Sequence, residues 1–236
     1  DLNDIRRHPT ENWSNYQRGV AHFLQEAGHR LVGMDAVLTS NVPVGAGLSS
    51  SAAIEVAAAW AFAGLSGIEP DRVQIARLCQ QAEHEFAGVP CGIMDQFIVA
   101  LGRQHHALLL DCRSLAVQHV LLPATVRVVV ADTGVRRELA GSAYAERRAQ
   151  CEEAARRFGV PALRDVTVEM LITRADTLPE AVRARARHIV SENERVLNAV
   201  ADLRRGDVAV FGRLMNESHR SLRDDYEVSG PELDAM

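Results

Sequence analysis

Three short stretches of the chain concentrate residue types that phosphate and proton chemistry require. The first is NVPVGAGLSSSAAIEV, from Asn41 to Val56. Gly45 and Gly47 permit a tight turn and let the backbone approach an anion with no Cβ in the way. The Ala-rich run behind them, AAIEVAAAWAFAGL, is apolar on nearly every side and is expected to be a buried helix. The start of that helix would point unpaired N–H groups and a positive dipole end at the same anion. Ser49, Ser50 and Ser51 add hydroxyls for a phosphate oxygen or a metal. On glycines and serines alone, a plain glycine turn with a Ser cap fits equally well. The other two stretches each bring a carboxylate: Glu83 near a helix end in QQAEHEFAG, and Asp95 after a tight turn in PCGIMDQF. A hard divalent cation beside phosphates takes few protein ligands, mostly oxygens, so a Ser hydroxyl and one carboxylate suffice. A second carboxylate can accept or orient the proton of an attacking hydroxyl. Spacing alone leaves Glu83 a solvated helix residue and Asp95 a helix-start residue favoured by the dipole.

The composition narrows the chemistry. The 26 Lys-plus-Arg residues are all Arg. A phosphate loop of the Walker type and the protein-kinase pattern both need a Lys, so both are excluded over these residues. Schiff-base catalysis is excluded for the same reason. A bound nucleotide would have to be held by backbone N–H groups, a helix dipole, Arg or a metal. A net charge of -5 argues against a dedicated nucleic-acid binder. No apolar run approaches the roughly 18 residues of a membrane span, and the polar opening DLNDIRRHPTENW is no signal peptide. The 236 residues, 47% hydrophobic and 24% charged, suffice for one large or two small cores. Cys79, Cys91, Cys112 and Cys151 form no CxxC pair, and free thiols in a reducing cytosol are expected, without zinc or disulfides. The chain does not begin with Met, and both ends look cut.

These candidates need elements to position them. A helix is expected from about Asn12 to Ala27, ended by Gly28, followed by a strand-like alternation from Met34 to Val44. The Ala-rich helix breaks at Gly64 to Pro70, and a further helix runs from about Asp71 to Phe86. Gly88 to Gly92 is a turn, and Ile93 to Leu101 a short helix. His106 to Cys112 and Val117 to Leu122 are expected as paired strands, and Val126 to Ala131 as a buried strand. Ser142 to Phe158 is a helix. Pro179 opens a long helix to about Arg204, closed by Gly206, and Asp207 caps the next, which continues past Met215 and His219. His105-His106 are expected to be structural. The Arg pairs 136-137, 147-148, 156-157 and 204-205 are interleaved with acids and are expected on solvated faces. The architecture expected is α+β in two lobes, 1-118 and 119-236.

The full string from Pro43 to Ala52 resembles the second motif of the GHMP kinases, P-x-G-x-G-L-x-S-S-A, with Pro43, Gly45, Gly47, Leu48, Ser50, Ser51 and Ala52 matching. CGIMDQF, with QAEHEFAG before it and HALLLDCRSL after it, is similar to the galactokinase branch. The resemblance implies a two-lobed GHMP-kinase fold with an N-terminal ribosomal-S5-like nucleotide-binding lobe, and transfer of the ATP γ-phosphoryl group to a sugar hydroxyl. It implies Asp95 as catalytic base, Ser51 and Glu83 as Mg²⁺ ligands, and Gly92 and Asp95 in contact with the sugar. Gly45, Ala46, Gly47, Leu48, Ser49, Ser50 and Ser51 would hold the nucleotide. TGVRRELAGSAYAERRAQCEEAA is similar to a family segment whose Tyr bonds the sugar, which nominates Tyr144. ENWSNYQRGV is similar to one near the adenine, which nominates Trp13 and Tyr16. ESHRSLRDDYEVSGPELD matches a late family segment, with Gly230 where some members have Cys.

The likeness runs from about Asp1 to Asp234. Two family motifs, R-V-N-L-I-G-E-H-x-D-Y and G-G-G-F-G-G, do not occur, so the 236 residues by themselves are expected to have no useful activity. The expected acceptor is galactose, with N-acetylgalactosamine or a related sugar as alternative. The expected partners are ATP, Mg²⁺ and sugar in a cytoplasmic monomer, without nucleic acid or membrane. Fungal relatives that act as non-catalytic galactose and ATP sensors lose residues of the Ser-Ser-Ala stretch, whereas this chain keeps Ser49 to Ala52.

Overall fold

The computed structural model describes residues 1–135 and 142–236, which fall into two compact units: residues 1–119, and residues 120–135 with 142–236. Arg136-Arg137 lie outside the described residues.

The first unit is built on four helices: α1 (Ser14–Glu26), α2 (Ser50–Ser66), α3 (Arg72–Ala82) and α4 (Met94–Leu101). Each α-helix turns an apolar stripe inward. Val20, Phe23 and Leu24 of α1 meet Val56, Ala59 and Phe62 of α2, Ile75, Ala76 and Cys79 of α3, and Phe97 of α4. The alanines of α2 leave little side chain between the axes, and Ala52, Ala58, Ala59 and Ala63 are all buried. The crossing of α1 and α3 is closer still. A Cβ on Gly19 would stand 2.7 Å from the Cβ of Ala82, nearer than real carbons approach. Asp71 caps α3 by accepting from the Val73 N–H at 2.8 Å. A two-stranded sheet, β1 (His106–Leu110) with β2 (Val117–Leu121), follows, and Leu108, Leu110 and Val117 pack against the same core.

The second unit holds α5 (Ser142–Phe158), α6 (Val168–Arg174), α7 (Glu180–Arg205), α8 (Val208–Asp224) and the short α9 (Pro231–Asp234). Its core joins Ala154 and Phe158 of α5 to Val182, Ala186 and Val190 of α7 through Leu163, Val166 and Leu178. Gly206 closes α7 in the left-handed region at φ 77°, and the Asp207 carboxylate accepts from the Val210 N–H at 3.0 Å to start α8. Arg185, 2% exposed, ties α7 to α5 and to the chain after α8, donating to Gln150 Oε1 at 2.9 Å and to the Glu227 carboxylate at 2.6 Å.

Three expectations are corrected. Met34 to Val44 forms no strand; Val37 is 98% exposed, and among the described residues no ladder partner lies alongside. Val126 to Ala131 is likewise no buried strand, with Val128 at 75% and Val129 at 85% exposure. Alternation supplies one side of a ladder, and a strand exists only where a second backbone satisfies it. Arg147 is not on a solvated face: its side chain is 12% exposed and donates to the Tyr226 carbonyl at 2.7 Å.

Candidate active site

The chain from Val44 to Ser49 turns through three left-handed residues, Gly45 (φ 72°), Gly47 (φ 74°) and Ser49 (φ 56°), and α2 begins at Ser50. Glycine takes this region freely; Ser49 does so at a cost of about 1 kcal/mol. No side-chain cap reaches the first turn of α2, and no acidic residue stands in it. The loop is exposed and Ser49, Ser50 and Ser51 are half-buried, so a positive helix end with hydroxyls around it faces outward. A Cβ on Gly47 would meet nothing within 4 Å, so that glycine is required by its backbone angle alone.

Glu83 is buried, 3% exposed, which corrects its reading as a solvated helix residue. After α3 the helix widens into a π-type turn over Glu83–Ala87. Glu83 stands four residues beyond Cys79 and eight beyond Ile75, both fully buried, and so continues the inner face. The turn that follows is pinned back onto this helix end. The Cys91 carbonyl accepts from Gln80 Nε2 at 3.3 Å and from His84 Nε2 at 2.8 Å, and the Val89 N–H donates to the Glu83 carbonyl at 3.0 Å. That turn carries the exposed Gly92 and delivers α4, with the half-buried Asp95 in its first turn.

Beside Glu83 lie two buried groups that the motif reading did not single out. The Gln96 amide donates to Glu83 Oε2 at 2.6 Å and to Glu55 Oε2 at 3.2 Å, and both Gln96 and Glu55 have no exposure. Cys91 Sγ donates to the same Glu83 oxygen at 3.2 Å. Burial, reinforced by the charge of Glu83 and opposed by the Gln96 hydrogen bond, pushes Glu55 up to about 9. Burial and then Glu83 push the Cys91 thiol up to about 12, which keeps it protonated and unreactive. Tyr16 is half-buried, and its hydroxyl is raised by burial and then by Glu83, Glu55 and Cys91. Trp13 caps α1 at 63% exposure. Tyr144 lies in the first turn of α5, and its side chain is outside the described residues.

A signal for Glu55 was present: it is the only charge inside an otherwise apolar helix, one turn after Ser51 on the same face. Gln96 had no such signal, because an amide beside an acidic motif residue looks like any polar surface position. Among the described residues no three His, Cys, Asp or Glu side chains gather as a metal cage. The donor set nevertheless fits a hard cation held by one or two protein oxygens, since the half-buried Ser51 offers a hydroxyl and Glu83 a carboxylate.

A left-handed Gly-Ser loop leading into an uncapped helix start is suited to an anion. Residues 15–103 match the family model for the GHMP kinases N terminal domain, and the fold is α+β. The chain is 53% identical over 229 residues to a galactokinase of Roseiflexus sp. (strain RS-1), covering 95% of this chain and 59% of that protein. It is also similar, at a TM-score of 0.88 and 33% identity, to the crystal structure of Lactococcus lactis galactokinase complexed with galactose, over 99% of this chain and 62% of that one. The chain thus spans about three fifths of the length of each relative. Among the described residues no helix is long and apolar enough to cross a membrane.

Proposed function

We propose that this chain is the central part of a galactokinase, transferring the γ-phosphoryl group of ATP to the anomeric hydroxyl of galactose. The observation that carries the reading is the 53% identity to a galactokinase along 95% of the chain, spanning the whole Gly-Ser loop and both carboxylates. In this reading Gly45 to Ser51 cradle the phosphates with backbone N–H groups and the positive end of α2. Ser51 and Glu83 would hold Mg²⁺, which when bound neutralises phosphate charge. Asp95 accepts or orients the proton of the sugar hydroxyl, a bond forms between that oxygen and the γ-phosphorus, the bond to the β,γ-bridging oxygen breaks, and ADP leaves. Gly92, Asp95 and Tyr144 contact the sugar. Trp13, exposed at the start of α1, and the half-buried Tyr16 are the residues read as meeting the nucleotide. A cytoplasmic setting fits a user of ATP whose four cysteines are free thiols.

The test is ATP-dependent phosphorylation of a sugar panel by the full-length protein. Galactose 1-phosphate as the preferred product supports the reading. Preference for N-acetylgalactosamine moves it to the neighbouring sugar, and sugar binding without turnover replaces the kinase by a sensor.

A further inference from the structure

Gln96 and Glu55 have no part in the reaction as read above, yet they occupy an expensive arrangement. Gln96 is fully buried and its amide nitrogen spans two carboxylates, 2.6 Å from Glu83 and 3.2 Å from Glu55. A primary amide has two N–H donors; the two acids are its short contacts, and Cys91 Sγ lies farther off at 3.8 Å. Glu55 Oε1 and Gln96 Oε1 are left without a hydrogen-bond partner among the described residues. A junction that needed only packing would hold apolar side chains, which avoid the penalty of unsatisfied buried polar atoms. The penalty falls where three elements meet: α2, which starts at the Gly-Ser loop; the end of α3, which carries Glu83; and α4, which carries Asp95 immediately before Gln96.

We propose that Gln96 is a positioning residue: its amide fixes the orientation of the Glu83 carboxylate toward a nucleotide-bound divalent cation. The inference rests on the reading of Glu83 as a metal ligand. A side chain that orients a ligand acts on metal affinity, and loss of such a partner costs about 10–100-fold.

The test is Gln96→Met in the full-length protein, with Mn²⁺ as probe ion. Mn²⁺ affinity in the presence of ADP is measured by electron paramagnetic resonance, beside the melting temperature, the Mg²⁺ concentration for half-maximal rate and the KM for galactose. The expected result is Mn²⁺ bound about 10–100-fold more weakly and a matching rise in the Mg²⁺ requirement, while the KM for galactose stays within about twofold. A lower melting temperature with unchanged Mn²⁺ affinity overturns the inference and leaves Gln96 structural. Glu83→Gln, measured in parallel, separates the two layers. If it leaves Mn²⁺ affinity intact, the reading of Glu83 itself falls; if it weakens Mn²⁺ and Gln96→Met does not, only the role of Gln96 falls. Should Gln96→Met fail to fold, Gln96→Asn, which keeps the amide one methylene short, decides by the same measurement.

Discussion

Glu55 has no exposure and lies near the charge of a second buried carboxylate, Glu83, so its proton is held far above the ordinary range. Its value in the folded chain is about 9 against an ordinary 4.5. Between those two pH values the unfolded chain has released this proton and the folded chain keeps it. The contribution is therefore fully present below pH 4.5 and is lost as pH rises toward 9, with a limiting slope of about 1.4 kcal/mol per pH unit. Glu55→Gln removes the titrating group and keeps an acceptor for Gln96. In metal-free and nucleotide-free buffer, the melting temperature of the variant should gain on the parent steadily from pH 5 to pH 8.5. A gap that does not change with pH contradicts the account. Glu55 also shows where reading by motif stops. Its burial is legible from its place among apolar residues, four after Ser51, but its partner Gln96 is 41 positions away in sequence, and only the folded backbone brings the two together.

At the scale of elements, two glycines do different work. Gly19 lets α1 close onto α3 at Ala82, one residue before Glu83. Gly19→Ala places a methyl where the gap is 2.7 Å. Overpacking of this kind costs about 1–3 kcal/mol, visible as a lower melting temperature, and because the helices part beside Glu83 the metal requirement should rise with it. Gly47 has open space around it and needs only its left-handed angle. Gly47→Ala should cost about 1–2 kcal/mol of stability, and ATP affinity measured by calorimetry should fall as the loop relaxes; unchanged affinity would show that the loop does not hold the phosphates. Helices were legible because their signals are local. Gly206 ends α7 and Asp207 starts α8 as their positions imply, and β1 and β2 pair as expected. Residues 34–44 and 126–131 were misread because a strand depends on a partner elsewhere in the chain, which alternation cannot reveal. Glu83 was misread on spacing because it was weighed as a lone charge rather than as the next member of the Ile75–Cys79 face.

At the scale of the molecule, each unit has its own core and its own style of cohesion. The first relies on small residues in close-packed helices, the second on an apolar seam with the buried Arg185 bridging α5, α7 and the chain beyond α8. The Gly-Ser loop, Glu83 and Asp95 all lie in the first unit, which also contains all the residues that match the GHMP-kinase family model. The central claim, that Asp95 serves the sugar hydroxyl during phosphoryl transfer, is tested most directly by comparing the full-length protein with Asp95→Ala under saturating ATP, Mg²⁺ and galactose, following galactose 1-phosphate by phosphorus NMR. The account predicts turnover slowed by about 10²–10⁴-fold with ATP binding and melting temperature preserved. Turnover that stays within about tenfold of the parent would contradict it.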